Sequence, residues 1–179
     1  MGSSGEHGGL IRFLSDALLL SACCVFAVSV VEPFMTRRFV LNHWGQAQVI
    51  VEATVTHWSY QAVVVPSIGE RLLFSEYWFG SNPFVPMILM DMSGLFISLF
   101  IVQTLTIVTG LFSLLARRVT RAIPMIFSVV AVALIVRIFV EANSALGFAD
   151  YGYGYWLVYP SIFMFCLAFA FSRVAKRAR

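Results

Sequence analysis

The chain has 179 residues, of which 60% are hydrophobic and 12% are charged, and its formal net charge is +3. A soluble domain usually carries about 25% charged residues, so this composition and a mean hydropathy of +0.87 exclude an ordinary soluble domain. The small net charge also argues against nucleic-acid binding, and we expect none.

The first apolar segment, residues 10–32, predicts a transmembrane helix. A helix needs roughly 20 apolar residues to cross about 30 Å of hydrocarbon. The run is too long for a cleaved signal peptide, and no small-x-small cleavage site follows it. Asp16 lies about one turn inside this segment, where its carboxylate either reaches the interface or pairs with Arg12 on the same helix face.

The next segment, residues 34–84, predicts a small extracytoplasmic antiparallel β-sheet between the first two helices. Apolar and polar residues alternate in 48–56, as in a half-buried strand. The apolar face consists of Val49, Val51, Ala53 and Val55. Residues 60–65 are a second β-rich run and 38–41 are a third candidate, whereas 67–82 is expected to be irregular or short helix.

The second span covers residues 85–115 and exceeds the length that the bilayer requires, so it tilts or projects beyond it. It carries polar and small residues with helical spacing, which places them on one stripe. The stripe consists of Gln103, Thr106, Gly110 and Ser113. Such residues let membrane helices approach closely, so we interpret the stripe as a helix-packing face, with a transport pathway as the alternative.

The third and fourth spans cover residues 119–141 and 155–172, joined by a short loop at 142–154. The whole chain is therefore predicted to be one integral membrane domain, a bundle of four transmembrane helices. Eight of the 12 Lys and Arg residues fall on one side of this arrangement. They are Arg12, Arg117, Arg118, Arg121, Arg173, Lys176, Arg177 and Arg179. By the positive-inside rule both termini are expected in the cytoplasm, most simply at a cell or plasma membrane.

Aromatic residues collect on the predicted outer side. They are Trp44, Trp58, Trp78, Tyr151, Tyr153, Tyr155 and Trp156. Tryptophan and tyrosine favour the membrane interface because the ring is apolar and the polar tip stays hydrated. This surface is interpreted either as an interfacial belt joined to the sheet or as a binding surface.

Four charged residues are expected to form one layer beneath the sheet, because each lies near the outer end of its span. They are Glu32, Asp91, Arg137 and Glu141. Ionisable groups in membrane helices are costly and mark functional or structural contacts. The layer is interpreted as an ion-pair network that docks the sheet, with a proton or ion relay as the alternative.

Four spans with a long β-forming first outer loop and a short second one resemble the claudin-type layout of tight-junction proteins. That family's first loop carries a Trp, then Gly-Leu-Trp, then two cysteines. Here Trp44 is followed by Gly45-Gln46, and neither the Gly-Leu-Trp motif nor the cysteines occur. The resemblance therefore covers the layout alone and transfers no functional residue.

Three functions remain open. The first is a non-catalytic accessory or structural subunit of a larger membrane complex or adhesion-type assembly. The second is a small transporter or channel component that uses the charged layer, and the third is a membrane-embedded, quinone-linked enzyme subunit. The first is favoured because no nucleotide-binding, nucleophile or metal motif occurs, so no catalytic residue, metal or cofactor is expected. Its expected partners are the lipid bilayer and either other membrane subunits or a second copy of the chain.

Overall fold

The computed structural model describes residues 3–41, 49–56, 59–65, 72–73, 77–78, 87–115, 120–146 and 150–177, and side chains within 8–36, 54–56, 94–115, 120–143 and 150–176. This part of the chain is mostly helical, with long apolar helices and a small antiparallel sheet. The helices are α1 (Ser3–Val31), α2 (Met87–Leu115), α3 (Ala122–Leu146) and α4 (Tyr153–Arg177).

The helices do not end where the apolar runs end. α1 begins before residue 10, and α3 and α4 end after residues 141 and 172. Backbone hydrogen bonding continues into the polar flanks, whereas an apolar run marks only the part of a helix that suits hydrocarbon. α1 stops at Val31 because Pro33 follows closely and a proline disfavours helical backbone in the residue before it.

Four helices in the described residues are long and apolar enough to cross a membrane, which fits a multi-pass membrane protein. Their spans are Gly8–Val31, Gly94–Leu115, Ala122–Asn143 and Tyr153–Lys176. Large apolar side chains such as Val129, Val140 and Phe163 are exposed on the outside of the bundle. Such a surface is compatible with lipid and would be unfavourable in water.

The helices form a closed ring of neighbours. α1 packs against α2 and α4, and α3 packs against the same two helices. The interior is filled by large apolar side chains, and the rings of Phe26 and Phe165 meet edge-on at 5.8 Å between centroids. Because lipid supplies no hydrophobic drive between helices, close van der Waals packing of this kind holds a membrane bundle together.

Three seven-residue strands form the body of the sheet: β1 (Met35–Leu41), β2 (Val49–Val55) and β3 (Ser59–Val65). They pair antiparallel in chain order, with Phe39 opposite Val51 and Val55 opposite Tyr60. The three predicted strands are thus confirmed. Val55 is buried and Thr54 is half-buried, as the predicted alternation requires. The other members of the apolar face have side chains outside the described residues.

Three two-residue strands complete the sheet: β4 (Leu72–Leu73), β5 (Tyr77–Trp78) and β6 (Asp150–Tyr151). β4 and β5 pair with β3, so the expectation of an irregular or helical segment is wrong at those positions. β6 comes from the loop before α4 and pairs with β1. Strands this short depend on a partner strand for their form, so residue patterning does not reveal them.

The junction between α1 and β1 joins the sheet to the bundle. The backbone N–H of Phe34 donates to Val55 O at 2.8 Å, and Gly152 N–H donates to Phe34 O at 3.0 Å. Gly154 N–H donates to Pro33 O at 3.0 Å. A side chain at Gly154 would lie 2.6 Å from the Glu32 carbonyl oxygen, so only glycine allows α4 this close an approach. We call this end of the bundle the sheet end.

Candidate functional site

The predicted charged layer is brought together only in part. Arg137 Nε donates to Glu141 Oε1 at 2.8 Å, one turn along α3. Glu32 is half-buried at the end of α1 and has no ion-pair partner among the side chains that the structure describes. The Asp91 side chain lies outside the described residues. The layer as a four-residue network, and its role, therefore stay predictions.

The Arg137–Glu141 pair lies on the outside of the bundle. The side chains of Arg137 and Glu141 are 67% and 38% exposed. The opposite face of α3 points inward through Ile135, Ile138 and Ala142, all of which are buried. The helical period of 3.6 residues therefore directs the guanidinium away from the core and onto the outer surface of the bundle.

Arg137 uses only part of its bonding capacity. A guanidinium has five N–H donors, and the pair with Glu141 engages the one on Nε. In the described part of the chain, the two terminal nitrogens Nη1 and Nη2 have no bonded acceptor. These two nitrogens form the flat fork that binds a carboxylate through two parallel hydrogen bonds.

Aromatic rings surround the start of α4 at the same end. Tyr155 is buried, and its ring centroid lies 4.4 Å from that of Tyr151 and 5.5 Å from that of Phe34. Tyr153 and Trp156 are exposed. The aromatic set therefore divides into a buried packing centre and an outward-facing part. Trp44 and Trp58 lie outside the described residues, and so does the side chain of Trp78.

The hydroxyl groups of this aromatic cluster are hydrogen-bonded. Tyr151 donates to Asn143 Oδ1 at 3.3 Å, and Tyr159 donates to the Tyr155 hydroxyl at 2.7 Å. Burial raises the pKa of Tyr151 above its ordinary value. Tyr151 is therefore protonated at neutral pH and can act as a donor that fixes β6 to α3.

All four residues of the predicted polar stripe on α2 are buried. Gln103 Nε2 donates to Ser29 Oγ of α1 at 3.3 Å. A Cβ atom at Gly110 would lie 2.6 Å from Cys23 Sγ of α1 and 3.6 Å from the Phe165 ring of α4. The stripe thus faces the interior and contacts two helices, while the alternative of a transport pathway stays a prediction.

Several interior hydroxyl groups bond within their own helices. Ser113 donates to Gly110 O at 2.8 Å, Ser128 to Met125 O at 2.7 Å and Ser161 to Val158 O at 2.6 Å. Thr106 does the same with the carbonyl one turn earlier. In a low-dielectric interior, these bonds to backbone carbonyl oxygens satisfy the hydroxyl donors without a partner on another helix.

A second polar cluster lies at the opposite end of the bundle, and the sequence did not reveal it. Arg121 donates to both Ser15 Oγ and Asp16 Oδ1, and it forms an ion pair with Asp16. Ser15 in turn donates to Ala168 O of α4 at 2.6 Å. The cluster thus ties the N-terminal half of α1 and the start of α3 to the C-terminal half of α4.

The expectation that Asp16 pairs with Arg12 is wrong, because its partner is Arg121, whereas its reach to the membrane interface stays a prediction. The two residues are 105 positions apart. They meet because α1 and α3 begin at the same end of an up-and-down bundle, and the long arginine side chain spans the gap between them. The signal in the sequence was the placement of an acid and a base at the same predicted membrane level on different spans.

No protein-family model matches the chain, and no curated protein matches it significantly.

Proposed function

We propose that this protein is a non-catalytic accessory or structural subunit of a larger membrane complex or adhesion-type assembly. Its partner binds on the lipid-facing surface of α3 around Arg137. The observation that carries the proposal is the exposed Arg137–Glu141 pair, in which Nε is the guanidinium nitrogen that is bonded among the described residues. A carboxylate or carbonyl on a partner helix would complete the hydrogen bonding of that group.

The energetics favour such a partner. An arginine at the centre of a membrane helix costs about 2.5–3.5 kcal/mol on insertion scales, and less near the interface. The pair with Glu141 offsets part of this cost, and an acceptor on a neighbouring protein would offset more. Polar residues that hydrogen-bond across two helices also determine which partner helix can bind and in which orientation.

Two further features support a role through the outer surface. The interior is filled mainly by apolar side chains and by hydroxyls bonded within their helices, and Gln103 Oε1 is the buried side-chain atom of the described residues that has no hydrogen-bond partner. The unused donors of Arg137 lie on the outside of the bundle. Trp156 and Tyr153 are exposed at the sheet end. Arginine, tryptophan and tyrosine are the residues most enriched at the energetic centres of protein interfaces.

The proposal includes an orientation. Both termini lie in the cytoplasm, at a cell or plasma membrane, and the sheet lies outside in a claudin-like layout. The basis is the excess of basic residues on the side of the termini. On a cysteine-free background, a membrane-impermeant thiol reagent should label a cysteine placed at Asn82 and miss one placed at Thr120. The reverse labelling pattern would refute the orientation.

Purification from native membranes in mild detergent tests the subunit assignment. We expect Arg137→Gln to lose a co-purifying membrane protein that the wild type retains. Arg173→Gln makes the same change of charge at an exposed position at the other end of the bundle and should retain it. If the partner is a second copy of the chain, the mass of the purified oligomer should be lower for Arg137→Gln than for the wild type. Equal recovery of partner with both variants, each of them folded, would refute the proposal.

A further inference from the structure

The end of the bundle opposite the sheet carries an unbalanced positive charge. Among the side chains that the structure describes, the cations at this end are Arg12, Arg121, Arg173 and Lys176, and the one carboxylate is Asp16. Asp16 is already paired with Arg121. The remaining cations therefore have no acidic counterpart in this part of the chain.

The packing of α1 against α4 brings these cations to the same end of the bundle. The hydrogen bond from Ser15 to Ala168 fixes the relative level of the two helices. Arg12 lies one turn beyond Ser15 on the same face of α1, and Lys176 lies about two turns beyond Ala168 on the same face of α4. Arg12 thus lies about 5 Å and Lys176 about 12 Å beyond the Ser15–Ala168 level, towards the same end.

Two of the arginines are held in position. Arg121 is only 14% exposed and is fixed by its bonds to Ser15 and Asp16, which leave other N–H donors free. The Arg173 guanidinium lies over the Phe169 ring, 5.1 Å from its centroid. This cation–π contact keeps the group against the helix. A pre-positioned cation loses less conformational entropy when it binds an anion.

The neighbouring surface is apolar. Leu10, Phe13 and Val174 are exposed beside these cations. An anion that binds here therefore meets basic groups at its charged end and an aliphatic and aromatic surface next to them. That combination matches the phosphate headgroup and acyl chains of a phospholipid better than it matches a free phosphate ion.

We propose that this end of the bundle binds the phosphate of an anionic phospholipid, with Arg12, Arg173 and Lys176 around the headgroup and Arg121 behind them. The acyl chains lie along the exposed apolar side chains of α1 and α4. This site is separate from the partner surface proposed around Arg137, which lies at the other end of α3.

Native mass spectrometry of the detergent-purified full chain tests the site. The probe is an equimolar mixture of phosphatidylglycerol and phosphatidylcholine, and the readout is the lipid retained. The variant is Arg173→Gln with Lys176→Gln, because both residues are exposed and lie outside the Ser15–Asp16–Arg121 cluster. Arg137→Gln, at the sheet end, is the control, and circular dichroism confirms the helicity of every variant.

We expect the wild type and Arg137→Gln to retain phosphatidylglycerol in preference to phosphatidylcholine. Each basic residue removed near a headgroup should lower retention about fivefold, so the double variant should lose roughly 25-fold. Inorganic phosphate at the same concentration as the lipid should not displace it. Equal retention by the double variant, equal retention of both lipids by the wild type, or displacement by inorganic phosphate would each overturn the proposal.

Discussion

Replacement of Gly110 by alanine tests the packing of α1, α2 and α4 at one atom. The new methyl group would lie 2.6 Å from Cys23 Sγ, whereas its distances to Phe165 Cε1 and Leu19 Cδ1, 3.6 and 3.8 Å, are ordinary contacts. The clash is thus with the thiol alone. Cys23 is buried and its sulfur already lies 3.9 Å from the Ile107 carbonyl oxygen, so it has little room to retreat.

The expected loss follows from overpacking. An extra methyl group in a packed interior typically lowers the free energy of unfolding by about 1–3 kcal/mol. Cys23→Ala removes the clashing sulfur and by itself should cost about 1 kcal/mol through a small cavity. In the double variant the new methyl occupies the space that the sulfur left. The two losses should therefore fail to add, and the double variant should be more stable than Gly110→Ala alone.

Reversible unfolding of the purified protein in mixed detergent, followed by circular dichroism, measures these differences. Gly94→Ala is the matched control, because Gly94 lies on the same helix, is exposed, and has open space within 4 Å of the position that a methyl group would take. It should be neutral or slightly stabilising, since alanine favours a helix over glycine. Equal tolerance of the changes at Gly110 and Gly94, or additive losses in the double variant, would refute the packing of Gly110 against Cys23.

Three further predictions concern the junction, the second polar cluster and the sheet. Gly154→Ala should lower the thermal unfolding temperature more than Gly110→Ala does, because its methyl meets backbone oxygens instead of a movable side chain; a milder effect would contradict the close approach of α4 to α1. Arg121→Gln should lower the unfolding free energy more than Arg12→Gln, since it leaves a carboxylate unpaired; equal losses in chemical denaturation would count against the cluster. Val51→Asp, on the predicted apolar face, should destabilise by several kcal/mol unless the carboxylate reaches water, and Glu52→Lys by less than about 0.5 kcal/mol; similar unfolding midpoints would show that the strand register is wrong.

The helices and the main strands could be predicted because their signals are local. Long apolar runs mark the spans, and the alternation around Val51 marks β2. The Arg137–Glu141 contact is local as well, since residues one turn apart on a helix share a face. Such features require no knowledge of how the helices are arranged.

Contacts between distant elements could not be predicted in the same way. The pairing of Arg121 with Asp16 depends on the order and rotation of the helices, which apolar runs do not specify. β6 exists because β1 offers it an edge, and two residues carry no pattern of their own. The outward direction of Arg137 likewise follows from which face of α3 is buried.

Photo-crosslinking in native membranes tests the proposed partner surface most directly. A photoreactive amino acid at Val140, which is 58% exposed one turn from Arg137, should form an adduct with a membrane protein. Val129 is 53% exposed on the same face of α3 but lies about 16 Å further from the sheet. The photoreactive amino acid placed there should react with lipid only. Protein adducts at Val140 alone are the predicted result. An absence of protein adducts at Val140, or equal protein adducts at both positions, would contradict the proposal that this protein binds its partner around Arg137.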